Sequence, residues 1–334
     1  MEYRPLGQSG MNASVVALGA WVIGGGAVWG PNPDDAESIA TIHAAIDAGI
    51  NLIDTAPAYG FGRSEEVVGK AIKDRRDRVI LATKCGLWWD DNRGSYFTEF
   101  DGRTLYRSLR PDTIRIEVER SLKRLQVDCI DLYQTHWPSV APDKTPIRDT
   151  MATLLQLRDQ GKIRAIGVSN VSLDELQENC EHGPVASNQF RYSMLYRAPE
   201  ADILPHCRRN DIATLTYMSL EQGLLTGKVG MDRQFSPGEF RTNEAWNPWY
   251  LPQNRRRVLD LLAGWKPLTE KYRCTVAQLV VAWTAAQEGV THVLAGARRP
   301  AQIQETAAGG SLNLEAEDLA KMRADVVTMG EPAR

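Results

Sequence analysis

Gly49-Ile50-Asn51-Leu52-Ile53-Asp54-Thr55-Ala56-Pro57-Ala58-Tyr59-Gly60 joins a short apolar run to an acid, and the acid to a loop carrying a phenol. Ionisable side chains are seldom buried alone, so an aspartate closing an apolar run calls for a reason. The design recurs. Val79-Ile80-Leu81-Ala82-Thr83 ends in Lys84, and Cys129-Ile130-Asp131-Leu132-Tyr133-Gln134 runs on into Thr135-His136-Trp137-Pro138. An acid, a phenol, an ammonium and an imidazole thus share one kind of position, at or just past the carboxyl end of a β-like run. In a parallel β/α barrel that end is the active-site face. Singly, each has a plainer reading: Asp54 as a turn or cap residue, Tyr59 as a packed aromatic, His136 as a structural imidazole. Lys84 would need only a carboxylate partner or a shifted pKa. The repeated placement favours the catalytic reading.

Outward from these runs, short apolar strands alternate with helical periodicity. The run 14–18 leads through a glycine-rich loop to a helix over 35–48, whose Ile39, Ile42, Ala45 and Ile46 share one face. Ser64 is the expected N-cap of the next helix, with Val67 where a full capping box would place an acid or amide. Residues 86–110 read as a long polar loop, after which Pro111 opens a helix striped by Ile114, Val118, Leu122 and Leu125. The second half predicts a helix over 147–160 stopped at Gly161, a strand over 163–168, a helix from Ser172 and a strand over 185–188. A helix over 203–209, a strand over 212–217 and a second long loop over 228–250 follow. The chain closes with a helix over 276–286, a strand over 291–294 and a helix from Pro300. Eight strands separated by helices, with no boundary linker, make one α/β domain over 1–334, a (β/α)8 TIM barrel. The rival Rossmann fold lacks its fingerprint, because the third glycine of G-x-G-x-x-G falls at Trp29 in Gly24-Gly25-Gly26-Ala27-Val28-Trp29.

Composition narrows the function classes. Hydrophobic residues at 43% and charged residues at 24% describe an ordinary globular chain, and a net charge of −3 gives no electrostatic case for nucleic acid or anionic membrane. Five scattered cysteines without C-x-x-C spacing suit reduced thiols. The first residues form no apolar signal segment, so the cytoplasm is the expected location. His43, His136, His182, His206 and His292 are too dispersed for metal-ligand spacing, and no metal is expected.

The motifs, in order, resemble those of the aldo-keto reductases over nearly the whole chain. They are Leu18-Gly19-Ala20-Trp21, the 51–60 stretch, Ser64-Glu65, Thr83-Lys84, the run into His136, and Gly167-Val168-Ser169-Asn170. Asn188-Gln189, the 223–228 segment and Gly296-Ala297-Arg298 complete the set. The chain is most similar to the bacterial general-stress and glyceraldehyde-type reductases. The resemblance implies a barrel closed at its base by a hairpin around Leu6 to Met11, and NADPH (NADP+ in the reverse reaction) lying across the strand ends. It implies a catalytic tetrad of Asp54, Tyr59, Lys84 and His136. Cofactor contacts are implied for Trp21, Asp54, Ser169, Asn170, Gln189, Tyr217, Ser219, Leu220, Gly223, Leu225 and Lys228. At the adenosine end they are implied for Gly296, Ala297, Arg298, Gln302, Glu305 and Thr306. Two departures stand out: Met218 interrupts the usual Tyr-Ser-Pro-Leu, and Thr306 replaces a more usual asparagine.

The chemistry of these groups is that of carbonyl reduction. A free tyrosine titrates near ~10; Lys84 beside Tyr59 is expected to lower that value, with Asp54 fixing Lys84. Tyr59 would then protonate the carbonyl oxygen, and neutral His136 would hold that oxygen by a hydrogen bond. Trp21, Trp29, Trp88 and Trp137, with Tyr59 and His136, are expected to line the substrate pocket, and Trp246 or Trp249 to cover it. The expected reaction is NADPH-dependent reduction of aldehydes, and of ketones, with a small hydroxyaldehyde such as glyceraldehyde as substrate and no protein partner. The alternative is a cofactor-holding binding subunit of the same fold with little turnover.

Overall fold

In the computed structural model, which describes residues 1–30, 34–236 and 238–333, eight parallel strands close into a barrel in chain order. Arg334, the last residue of the expected domain, lies outside the described residues. The hairpin β1 (Tyr3–Pro5) and β2 (Asn12–Ser14) comes first, antiparallel, and turns through Gly7 and Gly10 at φ of 53° and 77°. A Cβ at Gly7 would stand 2.1 Å from the Ala186 carbonyl oxygen, so only glycine fits where the hairpin meets the barrel floor.

The barrel strands are β3 (Val16–Gly19), β4 (Leu52–Asp54), β5 (Ile80–Cys85) and, after a side sheet, β9 (Ile130–Thr135). They continue with β10 (Ile163–Ser169), β11 (Ser187–Arg191), β12 (Ala213–Tyr217) and β13 (His292–Gly296), which pairs back on β3. Leu52, Ala82, Leu132, Ala165 and Leu215 fill the interior with Leu6 of the hairpin beneath, so the barrel is a packed core rather than a pore. A larger apolar cluster joins the outer strand faces to the helices.

The helices start and stop where local chemistry allows. Asp34 caps Asp35–Asp47 by accepting from the Ala36 N–H at 3.0 Å. Pro111 opens Pro111–Leu125, whose Ile114, Val118 and Leu125 are buried. Ser172 and Glu175 form a reciprocal capping box for Leu173–His182.

Two expectations are corrected. Ser64 is not a cap: the helix runs Arg63–Ile72 from Gly62, and the buried Ser64 hydroxyl donates to the Ala20 carbonyl at 2.9 Å and accepts from Thr55. It serves instead to pin the loop after β4 to the loop after β3. Residues 86–110 are no plain loop either. They form an antiparallel sheet of β6 (Leu87–Trp88), β7 (Ser95–Phe100) and β8 (Arg103–Arg107), with β8 in the middle. The turn is Asp101-Gly102 at φ of 48° and 71°, the two left-handed residues that a two-residue hairpin prefers.

Behind β5, both oxygens of buried Glu117 accept from the Gly86 N–H, at 3.1 and 3.0 Å. Burial pushes this carboxyl up to about 8, against the Gly86 hydrogen bond, which favours the carboxylate. The folded protein therefore keeps a proton that the unfolded chain releases near its ordinary value of 4.5. The associated stability is complete below that value and is lost as pH rises towards about 8. Glu117→Gln, which keeps an acceptor and removes the titration, should match the parent in denaturant unfolding at low pH. At pH above 8 it should exceed the parent, by about 1–3 kcal/mol. An identical pH slope in both proteins would reject this account.

Candidate active site

Strand register brings the four expected residues together at the carboxyl end of the barrel. Asp54 ends β4, Lys84 lies one residue from the end of β5, and His136 directly follows β9. The Lys84 ammonium is fully buried and uses three donors: to Asp54 Oδ2 at 2.6 Å, to the Thr55 carbonyl at 3.0 Å and to the Tyr59 hydroxyl oxygen at 3.1 Å. Asp54 Oδ1 accepts from the amides of Gln134 and Gln189, each at 2.9 Å. Because the Tyr59 oxygen already accepts from Lys84, its own O–H is left to donate into the cavity. The His136 ring stands edge-on to Tyr59 at 5.6 Å between centroids, and its backbone N–H is tied to the Cys85 carbonyl at 2.8 Å.

The proton states follow from burial. Desolvation holds the His136 imidazole well below the usual histidine range, with Lys84 adding to the effect, so the ring is neutral. Burial pushes the Lys84 ammonium down, opposed by Asp54. The Tyr59 expectation is corrected in direction: burial, with the Asp54 charge adding, pushes the phenol well above its ordinary value. Lys84 does not reverse this because its charge is countered by Asp54 at the shorter distance. Tyr59 is accordingly a protonated donor.

These groups floor a cavity of about 680 Å³ that runs from Tyr59 and His136 to the helix Pro300–Gly309. Trp21, Trp29 and Trp137 line it as expected, and Trp21 meets Trp29 edge-on at 5.0 Å. Trp246 covers it together with Phe240, their rings 6.0 Å apart. Trp88 does not line it. Successive residues of a strand face opposite ways, so Leu87 reaches the cavity while Trp88 is buried behind it, its indole N–H on Asp91 at 2.7 Å. Trp249 is likewise buried elsewhere, in the apolar cluster that also takes the Leu225 side chain, so neither lines the cavity. Phe61, Phe97 and Phe100 are lining residues that the sequence reading passed over. The alternation around Asp101-Gly102 was the signal that could have found the last two.

The remaining expected residues, Ser169, Asn170, Gln189, Tyr217, Ser219, Leu220, Gly223, Lys228, Gly296, Ala297, Arg298, Gln302, Glu305 and Thr306, all line the cavity. The Tyr217 hydroxyl donates to the Asn170 side chain at 2.7 Å, and the Asn170 amide donates to the His136 carbonyl at 3.0 Å. Lys228 is paired with Glu305, and the Arg298 guanidinium donates to the Trp29 carbonyl. Gln302 accepts from the backbone N–H of Arg298 and Arg299. The cavity suits a phosphate-bearing dinucleotide on three counts. Arg233, Arg241, Arg298 and Arg299 gather along it. Met218, Gln222 and Gly223 turn through positive φ on its wall, a backbone form common around anions, with the Gly223 N–H itself given to the Leu220 carbonyl at 3.0 Å. Among the described residues, Trp29 Nε1 and Gln222 Oε1 are buried without a partner on that wall.

Comparison with known proteins agrees with this geometry. The Aldo/keto reductase family profile matches residues 15–325. The chain belongs to that family. An Escherichia coli K12 protein named NADH-specific methylglyoxal reductase is 44% identical over 324 residues, covering 97% of this chain and 98% of that one. The glycerol dehydrogenase of Gluconobacter oxydans superposes with a TM-score of 0.85 at 38% identity, covering 99% and 96% of the two chains. An aldo/keto reductase from Klebsiella pneumoniae in complex with NADP and acetate superposes at 0.71 with 26% identity, covering 100% and 98%. Among the described residues no helix is long and apolar enough to cross a membrane.

Removing the Lys84 charge leaves the Asp54 carboxylate buried with only two amides. Lys84→Met should therefore lower folding stability by about 3–5 kcal/mol, and Lys84→Met/Asp54→Leu should recover part of the loss. Equal stability of parent and single variant in chemical denaturation would show that the pair contributes nothing to the fold.

Proposed function

We propose that the protein reduces small aldehydes, and ketones, to alcohols at the Asp54–Lys84–Tyr59–His136 cluster, with a small hydroxyaldehyde such as glyceraldehyde as substrate and NADPH as cofactor. The observation that carries this reading is the saturation of Lys84. With the three Lys84 donors spent on Asp54, Thr55 and Tyr59, the Tyr59 hydroxyl keeps its own proton for a partner in the cavity that it lines.

A nicotinamide cofactor, when held in this cavity, would supply hydride for the carbonyl carbon. Tyr59 gives its proton to the carbonyl oxygen as that oxygen gains charge, and the Lys84 ammonium steadies the phenolate left behind. Neutral His136 donates a hydrogen bond to the same oxygen, which holds the carbonyl beside Tyr59. Trp21, Trp29 and Trp137 enclose the substrate and keep water from the reacting atoms. Ser169, Asn170 and Gln189 are the polar groups suited to the carboxamide of the nicotinamide, and Tyr217 offers the ring to stack on it. Asp54, itself held by the Gln134 amide, positions Lys84.

The deciding experiment is multiple-turnover NADPH oxidation with a panel of aldehydes. Tyr59→Phe should lose about 100-fold or more in turnover while cofactor binding, read by quenching of tryptophan fluorescence, stays near that of the parent. Parent-like turnover in this variant would remove Tyr59 from its role. Stoichiometric cofactor binding by the parent without turnover would favour the binding-subunit alternative.

Preference for NADPH rests on Arg298, a planar permanent cation beside Arg299 after the last strand. It is supported by the NADP-bound Klebsiella neighbour and opposed by the name of the Escherichia coli relative and by Glu305, which neutralises Lys228. Arg298→Ala should weaken NADPH by about 1.5–3 kcal/mol and NADH far less, measured as Kd for each cofactor. Equal losses would transfer the contact away from Arg298.

A further inference from the structure

The arginines that line the cavity gather towards its cofactor end; Arg107 stands apart from them, just outside the lining, stacked on two of its aromatic walls. It is the last residue of β8, directly opposite Leu87 of β6 and two residues beyond Leu105. Opposed residues of an antiparallel pair, and residues two apart on one strand, share a face. Leu87 and Leu105 both line the cavity, so Arg107, which is not itself a lining residue, leaves the sheet on the same side as two that are. Its guanidinium carbon stands 4.6 Å from the centroid of the Phe97 ring and 4.8 Å from that of Trp137. Both rings are cavity walls, and Trp137 is the neighbour of His136 in the chain.

Stacking occupies the faces of a guanidinium and leaves its in-plane N–H groups unused. Arg107 Nε is buried and, among the described residues, has no hydrogen-bond partner, and no carboxylate there forms an ion pair with the side chain. Glu175, whose charge acts on it, is engaged in capping its own helix at the Ser172 N–H. Asp101, the acid on the same sheet that reaches the cavity, stands against Gly26. A partly desolvated cation with spare, rigidly held donors at the mouth of an aromatic pocket is suited to a planar or tetrahedral oxyanion.

We propose that Arg107 is an anion-recognising residue for substrate, so that the preferred substrates are short aldehydes carrying a carboxylate or phosphate at the end remote from the carbonyl. This inference rests on the aldehyde-reductase reading above. The carbonyl would sit between Tyr59 and His136, the chain of the substrate would cross Trp137, and the anion would meet the edge of the Arg107 guanidinium.

The test compares each anionic aldehyde with its neutral counterpart in the cofactor-loaded enzyme: 4-oxobutanoate with its methyl ester, and glyceraldehyde 3-phosphate with glyceraldehyde. The parent should favour at least one anion by about tenfold or more in kcat/KM, chiefly through KM, and the preference should shrink with added salt. The pair that shows it tells carboxylate from phosphate. Arg107→Met should collapse that anion-to-neutral ratio towards unity, whatever the absolute rates, and Arg107→Lys should restore part of it. Turnover of both members of each pair without preference, or a ratio unmoved by Arg107→Met, overturns the proposal while leaving the aldehyde-reductase reading intact. If no aldehyde is turned over, titration of the cofactor-loaded protein with succinate and with inorganic phosphate reads the subsite directly through tryptophan fluorescence. Saturation by either in the parent and not in Arg107→Met supports it, and no saturation in the parent overturns it.

Discussion

A lysine ammonium with no exposed surface, 2.6 Å from an aspartate that is 2% exposed, sets the conditions for the rest of this molecule. Removing two charges from water costs several kcal/mol for each ion, and mutual attraction repays this only where the remaining lone pairs and protons are also satisfied. Here they are. The second aspartate oxygen takes two side-chain amides, and the ammonium has a backbone carbonyl and a phenol oxygen besides. Asp54, Lys84, Gln134 and Gln189 come from β4, β5, β9 and β11, so one carboxylate binds together four of the eight strands. A one-residue slip in any of them would turn its polar group out of the barrel and leave a buried partner unmatched.

The same arrangement makes the site chemically directional. Below the cluster the barrel is filled with leucine and alanine, and above it stand indole and phenyl rings. The phenol, the neutral imidazole and the paired ammonium therefore work in a layer with apolar matter on both sides. Low polarity keeps Tyr59 protonated and His136 uncharged, and it strengthens every hydrogen bond they can offer to an oxygen that is gaining charge. Charge returns beyond that layer: four arginines and a paired lysine towards the cofactor end, Asp101 on the side sheet, and Arg107 stacked on Trp137 just outside the lining.

Much of this was legible beforehand. The strand-end positions of Asp54, Lys84 and His136 follow from apolar runs of strand length, and the helix stripe on Ile114, Val118 and Leu125 from a 3.6-residue period. These are local patterns, and burial obeyed them. Local pattern did not decide a residue's place where its neighbours in space outweighed its neighbours in the chain. Ser64 has the composition of a cap, but the loop after β3 passes close enough to claim its hydroxyl. Leu225 sits in a segment whose flanking residues line the cavity, yet its side chain turns into the adjoining apolar cluster. Tyr59 was expected to be acidified by Lys84 because the sequence shows a cation and a phenol, whereas the geometry puts the compensating carboxylate nearer to that cation than the phenol is.

By itself, then, the order of apolar runs, helical stripes and turn residues determined that eight strands would alternate with helices, and that an acid, an ammonium and an imidazole would stand at strand ends. Those features depend on backbone period and on the cost of burying polar groups, both of which act over a few residues. Which face of β6 looks into the cavity, whether residues 86–110 form a sheet, and which arginines pair with a carboxylate were decided only by the closed barrel. Such outcomes depend on distances between segments far apart in the chain, and hydrogen bonding, stacking and desolvation all fall off within a few ångströms of contact.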